Sequence, residues 1–290
     1  AKEKANRPQD VVVVLDLDET CFTADTENAL ATSAWFENLM ERWSPIMQAR
    51  SGMSRPEVLM ECLALVDCFY PLVAAKLTEQ ELPELLQKWK ADGIRTIGLT
   101  ARRPDLAPVT WHQLGEDCNL IFDSLSPPLD SDRVEALENH LRLNGHAAPD
   151  NPDNWEGICQ DRGVWFTANA NKGALLRQVL EIGSHVVFAD DSERHLHDVR
   201  AALDGHAASV RLLHYTAAKD AAKAKLNIAS CDSALVDHCV TLFKNEDRGF
   251  MALVQRRQEF LKAFINSQVQ HSEGRLQSIN LSLNALAASL

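Results

Sequence analysis

Asp16-Leu17-Asp18-Glu19-Thr20 places two carboxylates two residues apart. In an extended run such residues point the same way. Two close carboxylates repel unless a cation or a proton lies between them. Asp190-Asp191 adds two further acids, and together these residues make an all-oxygen set suited to Mg2+. Thr100 and Ala101, followed by Arg102-Arg103, offer a hydroxyl and backbone N–H groups that can hold a phosphate oxygen at a helix start. Lys172, in Asn171-Lys172-Gly173, opens a predicted helix, where the dipole prefers anions and a bound anion would offset the lysine's charge. Each run also has a plainer reading. The acids can be solvated loop residues, Thr100 a helix cap, Lys172 a surface lysine, and Asp191 or Ser192 a cap.

The elements around these residues supply their placement. Val11–Leu15 is short, β-branched and apolar on both faces, as a central parallel strand should be. Strands are predicted at Ile94–Leu99, Leu120–Phe122, Gly163–Thr167, His185–Ala189 and Ser209–Tyr215. Helices are predicted from Pro104 to about Leu114, at Arg133–Leu143, from Lys172, and after Ser192. Residues 26–91 read as helical, with Pro45, Gly52 and Pro56 as punctuation, Thr78 and Glu81 as a capping box, and Gly93 as a stop. Strands alternating with helices imply a parallel sheet, and such sheets bind ligands beyond the carboxyl ends of their strands. Asp16, Thr100 and Asp190 each sit at a predicted strand end, so their loops would face one crevice.

In order and type the four runs resemble the haloacid dehalogenase (HAD) superfamily over residues 10–215. Asp16-Leu17-Asp18-Glu19-Thr20 is similar to its first motif, Thr100 to its second, Lys172 to its third and Asp190-Asp191 to its fourth. Leu99-Thr100-Ala101-Arg102, Asn171-Lys172-Gly173, the run 186–199 and His214-Tyr215-Thr216 further resemble a poorly characterised bacterial HAD family. That family includes secreted effectors that act as phosphotyrosine phosphatases. The resemblance implies an α/β, Rossmann-like core over 1–25 and 92–215 and a small helical cap at 26–91; beyond its reach, the residue pattern reads 216–290 as a helical C-terminal region. Residues 126–160, rich in Pro, Asp and Asn, read as a second, irregular insertion in the core.

The resemblance also implies roles. Asp16 would be the nucleophile and form an aspartyl-phosphate. Asp18 would protonate the leaving oxygen and then activate water. Asp16, the backbone carbonyl of Asp18, and Asp190 would hold Mg2+, with Asp191 supporting them or ligating through water. Thr100, Ala101 and Lys172 would bind the phosphoryl group. The implied activity is a Mg2+-dependent phosphomonoesterase acting on a small phosphometabolite or a phosphotyrosine protein. The alternatives are a secreted effector or interaction protein on a HAD scaffold, and a phosphotransferase.

Composition removes other classes. With 46% hydrophobic and 24% charged residues the chain is globular, and its net charge of -12 argues against a nucleic-acid partner. Val11–Leu15 is the longest strongly apolar run, far short of a membrane span, so the chain reads as soluble. Its compartment stays open between bacterial cytoplasm and export. The seven cysteines lack zinc-like spacing and read as buried thiols, Cys21 among them. Trp35, Phe36, Trp43, Phe69 and Tyr70 can form an aromatic wall for substrate or the core of the 26–91 segment. Arg102, Arg103 and Arg194 either attract an anion or pair with surplus acids. His195 and His197 read as surface residues. Leu276, Ile279, Leu283, Leu286 and Leu290 recur at helical steps, a stripe within 268–290 for self-association, for docking a partner, or for packing on the body.

Overall fold

A computed structural model describes residues 7–26, 29, 31–52, 54–70, 73–122, 131–147 and 157–226. The chain divides into two compact units, Ala1–Thr23 with Ala75–Asp220, and Ala24–Ala74 with Ala221–Leu290.

The first unit is an α/β domain built on a six-stranded sheet. Its strands are β1 (Val11–Leu15), β4 (Arg95–Thr100), β5 (Cys159–Asp161), β6 (Val164–Phe166), β7 (His185–Asp190) and β8 (Ser209–His214), in spatial order β5-β6-β4-β1-β7-β8. Every pair is parallel except β5 with β6. Numbered along the chain, the five parallel strands run 3-2-1-4-5 across the sheet, so the winding reverses between β1 and β7. The β-branched run at Val11–Leu15 takes the centre because both of its faces are covered. Val12 and Val14 join one apolar cluster, and Val13 and Leu15 join another.

Helices α5 (Ser131–Leu143), α6 (Lys172–Val179) and α7 (Glu193–Leu203) feed the first cluster through Leu141, Leu175, Leu176 and Val199. Helices α3 (Leu82–Ala91) and α4 (Ala107–His112) feed the second through Leu86, Ala107 and Trp111. At the start of α6 the contact is tight. A Cβ added to Gly173 would collide with the backbone carbonyl of Asp198 on α7. Gly173→Ala is therefore expected to lower stability by about 1–3 kcal/mol, the usual cost of overpacking, read as a fall in the denaturant midpoint at unchanged slope.

The second unit contains α1 (Ser33–Ser51) and α2 (Arg55–Phe69). Thr32 caps α1 by accepting from the Trp35 amide at 3.3 Å, and Gly52 ends it in the left-handed region. The end of α8 (Ala217–Lys225) belongs here too, with Ala222 packing beside Ala29 and Ala34. Trp35 is buried within this unit. The side chains of Trp43 and Phe69 lie outside the described set.

Several elements differ from the sequence expectation. The helix expected through 26–91 is interrupted. Two short strands, β2 (Phe22–Ala24) and β3 (Ala75–Leu77), pair with each other, and α3 packs on the sheet in the first unit rather than joining α1 and α2. Thr78 makes no capping box. Its hydroxyl donates instead to the carbonyls of Thr20 at 2.6 Å and Cys21 at 3.1 Å, tying the β3 end to the loop after β1. Pro45 lies inside α1 rather than ending it. Leu120–Phe122 is not a strand. The helix from Pro104 breaks into a 3-10 turn at Pro104–Leu106, then α4, then a π turn at Gln113–Asp117. Within 126–160, α5 and the start of β5 are described, and 126–130 and 148–156 lie outside the described residues. So do 227–290, with the 276–290 stripe. Among the described residues no helix is long and apolar enough to cross a membrane.

Candidate active site

The parallel register brings the acids together. Leu15 pairs with Ala189, so the next residues, Asp16 just after β1 and Asp190 at the end of β7, stand side by side, and the Asp16 amide donates to the Ala189 carbonyl at 2.9 Å. These two strands flank the reversal point, where open α/β sheets place their ligands. Asp16, Asp190 and Asp191 each offer a carboxylate oxygen within 4.8 Å of the others.

Lys172 reaches this cluster from the start of α6. Asn171 caps the helix by accepting from the Ala174 amide at 2.8 Å. The preceding turn is stitched to the end of β4. Thr167, Ala168 and Asn169 donate their amides to the carbonyls of Thr100, Arg102 and Ala101, each at 3.0 Å. Thus anchored, the Lys172 ammonium donates to Asp16 Oδ1 at 2.5 Å and to Asp190 Oδ2 at 2.7 Å. The lysine is 1% exposed, Asp16 4% and Asp190 fully buried. A lysine so enclosed is a paired site residue and not a solvated one.

Charge governs the cluster. Burial opposes the ammonium of Lys172, but the carboxylates of Asp16 and Asp190 outweigh it and raise the lysine's pKa above the ordinary value. Burial pushes Asp16 well above the usual carboxylate range, against the pull of Lys172, and the neighbouring acids add to the rise. Asp190 is also penalised by burial, yet Lys172 and His195 hold it down to about 2. Asp191 is lifted to about 7 by burial, by Asp190 and by Glu19, and Lys219, at 3.9 Å, only partly offsets this. The cluster thus holds more carboxylates than its lysines neutralise, a donor set of hard oxygens that fits a divalent cation.

Asp18 faces elsewhere. Leu17 accepts from the amides of Cys21 and Phe22, and Glu19 takes the left-handed region with φ of 59°, so the chain turns sharply after β1. The Asp18 carboxylate meets Arg102. Nη2 donates to Oδ1 at 2.7 Å, and Nε lies 3.2 and 3.0 Å from the two oxygens. The Thr100 hydroxyl donates to Asp18 Oδ2 at 3.3 Å and accepts from the Arg102 amide at 3.1 Å. Thr100 therefore spans Asp18 and Arg102. It caps no helix, because the first helical turn begins at Pro104, and Ala101 lies half-buried in the bend between.

Sequence reasoning missed three contacts. Arg102 pairs with an acid, one of the two expectations for it, but its partner Asp18 lies 84 residues away, a relation that no local spacing reveals. His195 is tucked under the site rather than at the surface. Its Nδ1 lies 3.0 Å from Asp190 Oδ1. Burial first, and then the Lys172 charge, push its pKa below the ordinary value, against the pull of Asp190. Glu19 is buried close enough to Asp191 to raise its pKa. Cys21 is buried, and burial followed by the Asp16 charge pushes its thiol well above the ordinary range, so it serves packing.

No curated protein and no solved structure matches the chain. A family model described as a protein of unknown function (DUF2608) matches residues 1–249. That match covers most of the 290 residues, and the chain belongs to the DUF2608 family.

Proposed function

We propose that this protein is a divalent-cation-dependent phosphomonoesterase of the HAD type, working through an aspartyl-phosphate. The observation that carries the reading is the Lys172 ammonium set between Asp16 and Asp190 at the strand ends flanking the reversal point, with Asp191 beside them. A carboxylate attacking a phosphate must overcome like-charge repulsion, and a fixed ammonium within reach of that carboxylate lowers the barrier.

In this reading an Asp16 oxygen attacks phosphorus and the ester oxygen departs with the bonding electrons, taking a proton from Asp18. Asp18 then draws a proton from the water that cleaves the aspartyl-phosphate. Lys172 holds Asp16 in place and neutralises charge that develops on the phosphoryl oxygens. Thr100 and Ala101, at the end of β4, would help bind the phosphoryl group. Asp16, Asp190, Asp191 and the Asp18 carbonyl would hold Mg2+. When bound, the cation supplies charge neutralisation and orients the phosphate.

The test is hydrolysis of an aryl phosphate by purified protein. We expect activity with Mg2+, its loss to background on chelation, and its return on adding the cation back. Hydrolysis that persists through exhaustive chelation would remove the metal from the account. A panel of phosphotyrosine peptides and of sugar and nucleotide phosphates then separates the two substrate classes.

A further inference from the structure

Arg102 is 5% exposed and its guanidinium is almost fully committed. Besides Asp18 it donates from Nη1 to the Thr110 hydroxyl at 2.9 Å and to Gln113 Oε1 at 2.7 Å, and it lies 5.2 Å from the centroid of the Phe22 ring. Thr110 is itself fixed, donating to the Leu106 carbonyl at 2.9 Å. These contacts come from β2, from α4 and from the π turn after it. The π turn therefore acquires a use, since it carries Gln113 to the guanidinium. Arg102 is buried and held by these contacts, whereas the Asp18 side chain is one-third exposed (33%).

A carboxylate has about four lone-pair sites. Nη2, Nε and the Thr100 hydroxyl occupy most of them and leave room for one more partner on the open side. A planar, two-nitrogen grip also sets the plane of the carboxylate, which a point charge cannot do. We propose that Arg102 is a positioning residue that fixes the Asp18 carboxyl group in the orientation from which it exchanges a proton with the ester oxygen. The proposal rests on the reading of Asp18 as the acid. As the Asp16–phosphorus bond forms and the ester bond breaks, the proton moves from Asp18 to the departing oxygen. Asp18 becomes a carboxylate facing the guanidinium.

The test uses the Mg2+-supplied full chain and two substrates, an aryl phosphate with a good leaving group and an alkyl phosphate with a poor one. The measured quantity is kcat/KM, which covers steps through phosphorylation of Asp16 and not the later hydrolysis. A nitrophenolate departs with little help from an acid, whereas an alkoxide needs one. Arg102→Lys keeps the charge and loses the grip. We expect it to lower kcat/KM on the alkyl ester roughly 10–100-fold more than on the aryl ester. In an Asp18→Asn background the same change should leave the ratio of the two esters unmoved. Partial unfolding lowers both values alike and cancels in the ratio. An unchanged ratio for Arg102→Lys, or a ratio that still shifts in the Asp18→Asn background, would overturn the proposal. Full activity in Asp16→Asn would sink the aspartyl-phosphate reading instead, so the two failures are distinct.

Discussion

Asp16→Asn is expected to fold and to lose hydrolysis of an aryl phosphate by roughly 10⁴-fold or more, the scale seen when enzymes with a covalent intermediate lose their nucleophile. The amide keeps the shape of the carboxyl group at the end of β1 and cannot attack phosphorus. Lys172 retains Asp190 as its partner at 2.7 Å, so the buried ammonium is not orphaned. Removing one of several crowded acids also relieves the repulsion that pushes Asp16 upward. Circular dichroism should report a native spectrum while the phosphatase assay falls to background. Activity within tenfold of the parent would mean that another group attacks, and the covalent step would have to be abandoned.

Lys172→Met is expected to be the most destabilising single change at the site. It leaves Asp16 and Asp190 facing each other without the ammonium between them, and both are buried. Removing one member of a buried ion pair costs about 3–5 kcal/mol, a fall of roughly 6–20 °C in the thermal midpoint for a domain of this size. The same change should strengthen the hold on a divalent cation, because the acids lose their internal counter-charge. Added Mg2+ should therefore raise the midpoint of the variant more than that of the parent, by linkage between binding and folding, while hydrolysis stays absent. Thermal scans with and without Mg2+ check both statements. Equal Mg2+ shifts in parent and variant would mean that the acids and Lys172 do not share one charge balance.

The central architecture was legible because its signals are local. A β-branched run at Val11–Leu15 reads as a strand covered on both faces, and the acids that end it stand out against it. The strand-end placement of Asp16, Thr100 and Asp190 followed from the strand assignments alone. Short elements were not legible. β2 and β3 have three residues each, too few to display a period, and β3 lies in a stretch that reads as helical. Thr78 and Glu81 satisfied the capping pattern, yet the Thr78 hydroxyl found carbonyls at Thr20 and Cys21, a tertiary preference over a local one. The Arg102–Asp18 pair and the His195–Asp190 contact escaped for different reasons. The first depends on bringing together residues 84 apart. The second depends on His195 lying one turn before Val199, at the edge of the apolar face that Leu196, Val199 and Leu203 form on α7, where a polar side chain can turn either way.

The most direct measurement is chemical trapping of the phosphorylated residue. Protein turning over an aryl phosphate with Mg2+ is quenched and reduced with labelled borohydride, which converts an acyl phosphate to an alcohol, and the peptides are sequenced by mass spectrometry. The account predicts label on Asp16 in the parent and none in Asp16→Asn. Label on a different residue, or hydrolysis proceeding with no trapped acyl phosphate in any peptide, would contradict it.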